Sequence, residues 1–210
     1  MNLTLTSFIN EKVKHILKSR PVPIGISNRH IHISEQDFAV LFPGQSLQVH
    51  APLSQTGQFA SKQTLDLFGP KGVIKNVRIL GPFRPQTQVE ISLTNARELG
   101  VKAEIRQSGD LAGTPGITLC SEHGQVDISS GVIVSKRHIH MNEVDAMMFN
   151  LHDCQEVDVV VGSEDRKVTM NSVVVRVSDD SVLELHLDTD EANAAGVSGQ
   201  SGFGEIIFAE

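Results

Sequence analysis

The chain has 210 residues, a formal net charge of −7 at pH 7 and 40% hydrophobic residues, a composition typical of a folded globular protein. Its lysines and arginines are scattered singly, which disfavours a nucleic-acid-binding surface. No apolar run approaches the roughly 20 residues that span a bilayer, and the N-terminus has no signal-peptide pattern. We therefore expect a cytoplasmic protein, and its two cysteines are too few for a disulfide framework.

The first predicted element is an amphipathic helix over residues 1–20. Its apolar side chains recur at helical spacing, at Phe8, Ile9, Val13, Ile16 and Leu17. Pro21 and Pro23 end the helix, because proline has no amide hydrogen and disfavours a helical conformation in the residue before it.

After this helix the sequence contains many short runs rich in valine and isoleucine, separated by Gly, Pro, Asn and Asp. Such runs predict short strands. The predicted strands are residues 46–50, 72–80, 88–93, 131–135, 157–161, 167–177 and 182–187. Strands at this spacing indicate a mainly β protein, built from barrels or sandwiches with a few short helices.

An internal repeat organises the chain. Residues 24–37 (IGISNRHIHISEQD) align without a gap with residues 132–145 (VIVSKRHIHMNEVD), and seven of the fourteen positions are identical. The identical residues include the tripeptide His-Ile-His in both copies.

A second pair of segments continues the repeat. Residues 89–101 align with residues 185–197, and this register places Glu90 on His186. The chain is therefore predicted to contain two related β-rich modules, joined through the Gly- and Ser-rich stretch 107–131.

The repeated tripeptide predicts two metal sites. Alternate side chains of an extended strand lie on the same face, so the two imidazoles of each tripeptide project together. The repeat register then adds one further ligand to each pair. The two predicted ligand sets are His30, His32 and Glu90, and His138, His140 and His186. Such sets occur in zinc sites that leave a fourth position open, which favours catalysis over a structural role.

Other interpretations of the histidines remain open. A single His-x-His strand more often has no ligand role, and only its second copy at a matching place favours metal binding. Imidazole with carboxylate also suits iron, nickel or cobalt, so zinc is preferred on ligand set and availability. The remaining histidines are expected to be solvated or structural.

Arginines are the other candidate functional groups. No nucleophile elbow, P-loop or dinucleotide-binding glycine pattern is present, so the chemistry is expected to depend mainly on the metals. Arg84 precedes Glu90, and a guanidinium beside a metal suits a phosphoryl oxygen, although a solvated loop arginine is an equally good interpretation. Arg29 and Arg137 adjoin the histidine pairs. The loop 106–116 could hold an anion on its backbone amides or could be a simple linker.

Four motifs in this order resemble the PduL-type phosphotransacylases, also called phosphate propanoyltransferases. They are SNRHIHIS at 27–34, RPQTQVEIS at 84–92, RQSGDLAGTPG at 106–116 and SKRHIHMN at 135–142. The resemblance extends from about Pro21 to the C-terminus. It implies two duplicated small β-barrels with short flanking α-helices, in addition to the N-terminal helix.

The resemblance also implies the domain boundaries. Residues 1–20 form the amphipathic helix, residues 29–130 the first barrel module and residues 131–210 the second. Barrels of this family exchange their first strand, so the strand 21–28 is expected to belong to the second module.

The activity implied by the resemblance is the exchange of an acyl group, propanoyl or acetyl, between coenzyme A and phosphate. Two zinc ions would occupy the predicted ligand sets, Arg84 would bind phosphate, and phosphate would attack the thioester directly. Candidate contacts with coenzyme A are Ser27, Asn28 and Arg29. The family analogy also implies a homodimer.

Residues 1–20 resemble the extensions that direct such enzymes into bacterial microcompartments, where shell proteins would be partners. A helix that packs on its own domain or on a dimer partner is the alternative. Two other functions also fit the ligand sets: a zinc-dependent hydrolase and a non-catalytic metal-binding microcompartment module. Phosphate-dependent turnover of a thioester would distinguish the acyltransferase from both.

Overall fold

This computed structural model describes residues 11–13, 15–17, 19–199 and 202–208. In chain order the elements are β1 (Val22–Ser27), β2 (His30–His32), α1 (Glu35–Leu41), β3 (Val49–Pro52), β4 (Phe59–Phe68), β5 (Val73–Gly81), β6 (Gln88–Glu90), α2 (Leu93–Leu99), β7 (Glu104–Arg106), β8 (Ile117–Cys120), β9 (Gln125–Ile128), β10 (Val132–Ser135), β11 (His138–Met141), α3 (Glu143–Phe149), β12 (Glu156–Val161), a 3-10 turn (Glu164–Arg166), β13 (Val168–Val177), β14 (Glu184–Asp188), α4 (Thr189–Ala194) and β15 (Phe203–Ile207). The prediction of a mainly β protein is confirmed.

The N-terminal segment is described only in part. Residues 11–13 and 15–17 are helical. Of the predicted apolar face, Val13 and Ile16 are 48% and 64% exposed, whereas Phe8 and Ile9 lie outside the described residues. Among the described residues, no helix has the length and apolar character needed to cross a membrane.

The chain divides into two compact units. The N-terminal unit consists of Ser27–Lys136 with Asp188–Asp190, and the C-terminal unit contains the other described residues. The first strand, β1, therefore lies almost wholly in the C-terminal unit, and β10 lies in the N-terminal unit.

The C-terminal unit contains a closed barrel with the strand order β1-β14-β11-β13-β12-β15. The barrel closes because β15 pairs with both β12 and β1, for example Val22 with Gly204. Its core is filled by aliphatic side chains of every strand, and Val22 and Ile139 are completely buried. Burial of such side chains from water is the main contribution to the stability of the unit.

The N-terminal unit contains a nine-stranded sheet in the order β7-β10-β6-β2-β5-β4-β8-β9, with β3 paired to β4. Its five central strands, β10-β6-β2-β5-β4, follow the same order as β1-β14-β11-β13-β12 of the barrel. Beyond β4, however, the next strands are the hairpin β8 and β9. Among the described residues the end strands β7 and β9 do not pair, so the expected pair of barrels is observed as one closed barrel and one sheet.

The boundary between the units also differs from the predicted position. Residues 131–135 were expected to open the second module, but β10 is parallel to both β6 and β7 in the sheet of the N-terminal unit. Ile133 lies opposite Glu90 on one side and Glu104 on the other. Because of these two strand pairs, β10 belongs to the N-terminal unit, which extends to Lys136.

Each histidine strand ends at a capped helix. The Ser34 hydroxyl accepts a hydrogen bond from the Asp37 amide at the start of α1, and the Asn142 side chain accepts one from the Asp145 amide at the start of α3. Such caps satisfy amides that have no partner inside the helix. The chain therefore turns out of each histidine strand at a defined residue.

Candidate functional site

The structure brings the first predicted ligand set together within the N-terminal unit. His30 lies opposite Glu90 in the antiparallel pair of β2 and β6, and His32 lies on the same face two residues later. The Nε2 atoms of His30 and His32 lie 3.6 Å from Glu90 Oε2 and Oε1, respectively. Ligand atoms around a tetrahedral zinc with ordinary bond lengths are about 3.3 Å apart, so these separations approach those of a metal site.

The imidazoles of this set can offer lone pairs to a metal. His30 Nδ1 lies 2.8 Å from the Asn28 carbonyl oxygen, which can only accept, so Nδ1 carries a proton and Nε2 is the ring atom that can coordinate a metal. Burial, together with the charges of His30 and Arg84, lowers the pKa of His32 to about 3. The buried His32 Nδ1 has no hydrogen-bond partner among the described residues. The unsatisfied His32 imidazole, with a second imidazole and a carboxylate beside it, fits a divalent metal ion.

The second predicted set is assembled in the C-terminal unit. His138 lies opposite His186 in the antiparallel pair of β11 and β14. The Nε2 atoms of His138 and His140 are 3.1 Å apart, and the three rings lie edge to face with centroids 4.7 to 5.0 Å apart. Burial and the neighbouring His138 and His186 lower the pKa of His140 to about 3. Three converging imidazoles are again a suitable ligand set for zinc.

Arg84 lies close to the first set. It precedes β6, and its amide donates to the Ile33 carbonyl at the end of β2. Its charge contributes to the lowered pKa of His32, so the guanidinium lies within electrostatic range of that ring. Among the described residues, the half-buried guanidinium forms no hydrogen bond or ion pair. A half-buried arginine whose guanidinium has no acidic partner is suited to binding an anionic ligand.

Comparison with known proteins identifies the family of this chain. A family model described as phosphate propanoyltransferase matches residues 23–198. The chain belongs to the phosphate propanoyltransferase family. It is therefore a phosphate acyltransferase, as the resemblance of its four motifs predicted.

Individual relatives are similar over nearly their full length. A phosphate propanoyltransferase of Escherichia fergusonii is 54% identical over 185 residues, which is 88% of each chain. The corresponding proteins of Shewanella putrefaciens and Salmonella typhimurium are 50% and 49% identical, and the alignments cover 91% and 93% of each chain.

The candidate coenzyme A contacts of this phosphate propanoyltransferase family member lie at and just after the end of β1. Ser27 ends β1 and is half-buried. Asn28 accepts the Arg29 amide on its side chain and orients His30 through its carbonyl oxygen. This second role was not predicted. Arg29 is half-buried and directly precedes His30.

Arg137 is engaged elsewhere. It forms an ion pair with Glu191 at 3.2 Å and donates to the Met170 sulfur. Arg84 and Arg137 thus differ, because only Arg137 has an acidic partner among the described residues.

Two polar residues beside the ligand sets were missed by the sequence analysis. Gln88 donates to Glu90 Oε1, and Glu184 Oε2 lies 2.6 Å from His186 Nε2. Each lies two residues before the third predicted ligand, and alternate residues of a strand share a face. This spacing was a usable signal, since the repeat register aligns Gln88 with Glu184.

Proposed function

We propose that this phosphate acyltransferase interconverts acyl-CoA plus phosphate with acyl phosphate plus coenzyme A, using propanoyl or acetyl groups and two zinc ions. The observation that carries the proposal is the assembly of the two ligand sets, each with its candidate ligand atoms within 4.8 Å of one another. Their appearance at matching places of a repeat supports a shared metal-binding role.

The residues that would hold the metals are those of the two sets: His30, His32 and Glu90, and His138, His140 and His186. Bound zinc would supply a Lewis acid that polarises the thioester carbonyl and stabilises the departing thiolate. The protein itself contributes neutral imidazoles, whose lone pairs remain available because burial keeps His32 and His140 deprotonated at neutral pH.

Arg84 would bind and orient the phosphate. A guanidinium can donate two parallel hydrogen bonds to a phosphate and leave a third oxygen free. That oxygen would form a bond to the thioester carbonyl carbon as the carbon–sulfur bond breaks, which gives acyl phosphate and the coenzyme A thiolate. Holding both reactants replaces a bimolecular encounter by a reaction within one complex.

The cysteines support direct transfer to phosphate without an acyl-cysteine intermediate. Burial, followed by the charges of Asp127 and Asp66, raises the pKa of Cys120. The hydrogen bond that Cys154 donates to Asp153 raises the pKa of Cys154. Both thiols are therefore protonated at neutral pH and are weak nucleophiles.

Single ligand substitutions test the proposal. We expect His30→Ala and His138→Ala each to lose about one zinc ion per chain, and to lose most acyl phosphate formation from propanoyl-CoA. His50 is exposed in β3, so His50→Ala serves as the matched control and should keep metal and activity. A fully metallated, active His30→Ala protein would refute the ligand assignment.

We further propose that residues 1–20 direct the enzyme to a microcompartment shell and that the enzyme is a homodimer. Exposure of Val13 and Ile16 supports a binding role for the segment. Deleting residues 1–20 should abolish encapsulation in shell-forming cells and leave turnover intact. Unchanged encapsulation would contradict the targeting role, and a monomer in sedimentation analysis would contradict the dimer.

A further inference from the structure

Gln88 is a buried polar side chain with no role in the ligand sets. It is 4% exposed and lies in β6, opposite His32 and two residues before Glu90. Burial of a primary amide is costly unless its donors and acceptor are paired. The bonds of this amide therefore indicate why the residue is present.

The orientation of the amide is fixed by its partners. Gln88 Oε1 lies 2.7 Å from the Gly109 backbone nitrogen, which can only donate, so Oε1 and Nε2 cannot be exchanged. Nε2 then donates to Glu90 Oε1 at 2.5 Å and to the Ser108 hydroxyl at 2.8 Å. Three of the hydrogen bonds that the side chain can form are thus satisfied.

These bonds connect Glu90 with the loop 107–113. Gly109 has φ +95°, a conformation that favours glycine, and this backbone geometry accompanies the hydrogen bond from its amide to Gln88. The loop is further held where Arg106 pairs with Glu104 and Asp110. The Gly109 amide is therefore occupied by Gln88 and is not free to bind an anion.

The C-terminal unit has a polar residue at the matching place. Glu184 lies opposite His140, as Gln88 lies opposite His32, and it contacts His186 two residues later. The carboxylate has the opposite position in the two pairs. In the N-terminal unit the amide of Gln88 donates to the predicted ligand Glu90, whereas in the C-terminal unit the carboxylate of Glu184 lies beside the predicted ligand His186. In each unit, therefore, the polar residue two positions before the third predicted ligand contacts that ligand.

We propose that Gln88 is a positioning residue that fixes the Glu90 carboxylate and couples its orientation to the loop 107–113. The inference rests on the proposed metal site at His30, His32 and Glu90. The hydrogen bond from Gln88 to Oε1 fixes the plane of the carboxylate, which places Oε2 3.6 Å from His30 Nε2 and Oε1 3.6 Å from His32 Nε2. Residues that orient metal ligands typically affect metal affinity about 10- to 100-fold.

The test uses the full chain carrying His138→Ala, which removes one member of the second set. Gln88→Met in this background keeps the side-chain length and removes all three hydrogen bonds. Gln86→Met is the matched control, because Gln86 is exposed on the same segment. Gln88→Asn is a milder variant that keeps the amide but shortens its reach. Circular dichroism checks that each variant is folded.

Three readouts are measured: zinc affinity by chelator competition, the visible spectrum of the cobalt-loaded protein, and amide hydrogen exchange at Gly109. Both Gln88 variants should lower zinc affinity about 10- to 100-fold, shift the cobalt bands and speed exchange at Gly109. The Gln86 variant should match its parent. A folded Gln88→Asn protein with the parent's affinity and cobalt spectrum would overturn the positioning role.

Zinc binding by the parent protein, which carries only His138→Ala, distinguishes failure of the positioning role of Gln88 from failure of the proposed metal site. If the parent binds zinc and His30→Ala abolishes that binding, the metal site stands whatever Gln88 does. If the parent binds no zinc, the proposed metal site fails and the inference about Gln88 fails with it.

Discussion

Replacing Gly25 by alanine would add a methyl group to β1 beside Glu184 and His186. An ideal Cβ at this position would lie 2.8 Å from Glu184 Cδ, 2.9 Å from Glu184 Oε1 and 3.1 Å from His186 Cδ2. Ordinary van der Waals contact begins at 3.4 Å, so Glu184 must move by about 0.6 Å to admit the methyl group. Gly25 does not have a positive φ, so the strain arises from this crowding and not from the backbone.

A displacement of this size matters because metal-binding geometries tolerate only about 0.5 Å of error. We expect Gly25→Ala to lower zinc affinity about tenfold at the set containing His186, measured by chelator competition in a His30→Ala background. Gly124→Ala is the control, because its added Cβ would meet only the Val40 carbonyl oxygen, at 3.5 Å. A folded Gly25→Ala protein with unchanged zinc affinity would refute the reasoning.

Three further predictions concern single groups. Arg84→Ala should raise the KM for phosphate at least about tenfold, because it removes the charged hydrogen bonds from the guanidinium to phosphate, and should leave zinc content unchanged. An unchanged phosphate KM in steady-state assays would exclude the phosphate role. Glu184→Gln should weaken zinc binding beside His186 about tenfold in chelator competition, and wild-type affinity would contradict this. In the folded, metal-free protein the pKa values of His32 and His140 are lowered from 6.5 to about 3. As the pH decreases, these histidines therefore take up protons in the unfolded chain before they do so in the folded protein. The free energy of unfolding should then fall as the pH decreases from about 6.5 toward 3. Urea midpoints that stay constant between pH 7 and 5 would contradict the prediction.

The ligand sets were accessible to sequence reasoning because two independent regularities coincide. Side chains alternate along a strand, and the repeat aligns Glu90 with His186. The structure places Glu90 opposite His30 and His186 opposite His138, so both strand pairs follow the repeat register. Arg84, by contrast, needed the family resemblance, since a loop arginine has no periodicity to mark it.

The strand β4 was not predicted, although it is one of the two longest strands described. Its buried face contains Ser61 and Gln63 before Leu65 and Leu67, so half of its inward side chains are polar. They are buried because they are hydrogen-bonded: the Ser61 hydroxyl donates to the Gln63 carbonyl, and the Gln63 amide donates to the Ser46 carbonyl. A search for alternating apolar residues does not detect a strand whose buried face is half polar.

Long-range pairing explains the other differences. The barrel closes between Val22 and Gly204, and the strand at 132–135 adds to β6 and β7 of the N-terminal unit. Local sequence does not specify which strands pair when they lie so far apart along the chain. The position of the first strand in the second module was expected only from the family resemblance. The repeat register marks Gln88 as a candidate, but its partners Ser108 and Gly109 lie about twenty residues away, so local sequence does not specify these hydrogen bonds.

The central claim is acyl transfer to phosphate at zinc-dependent sites. The most direct measurement is release of free thiol from propanoyl-CoA by purified, metal-quantified protein, with and without phosphate and after chelation. We predict thiol release that requires phosphate, produces equimolar propanoyl phosphate, ceases when zinc is removed and returns when zinc is restored. Thiol release that does not require phosphate would contradict the account in favour of a hydrolase, and unchanged turnover by the fully metal-depleted protein would contradict the role of zinc.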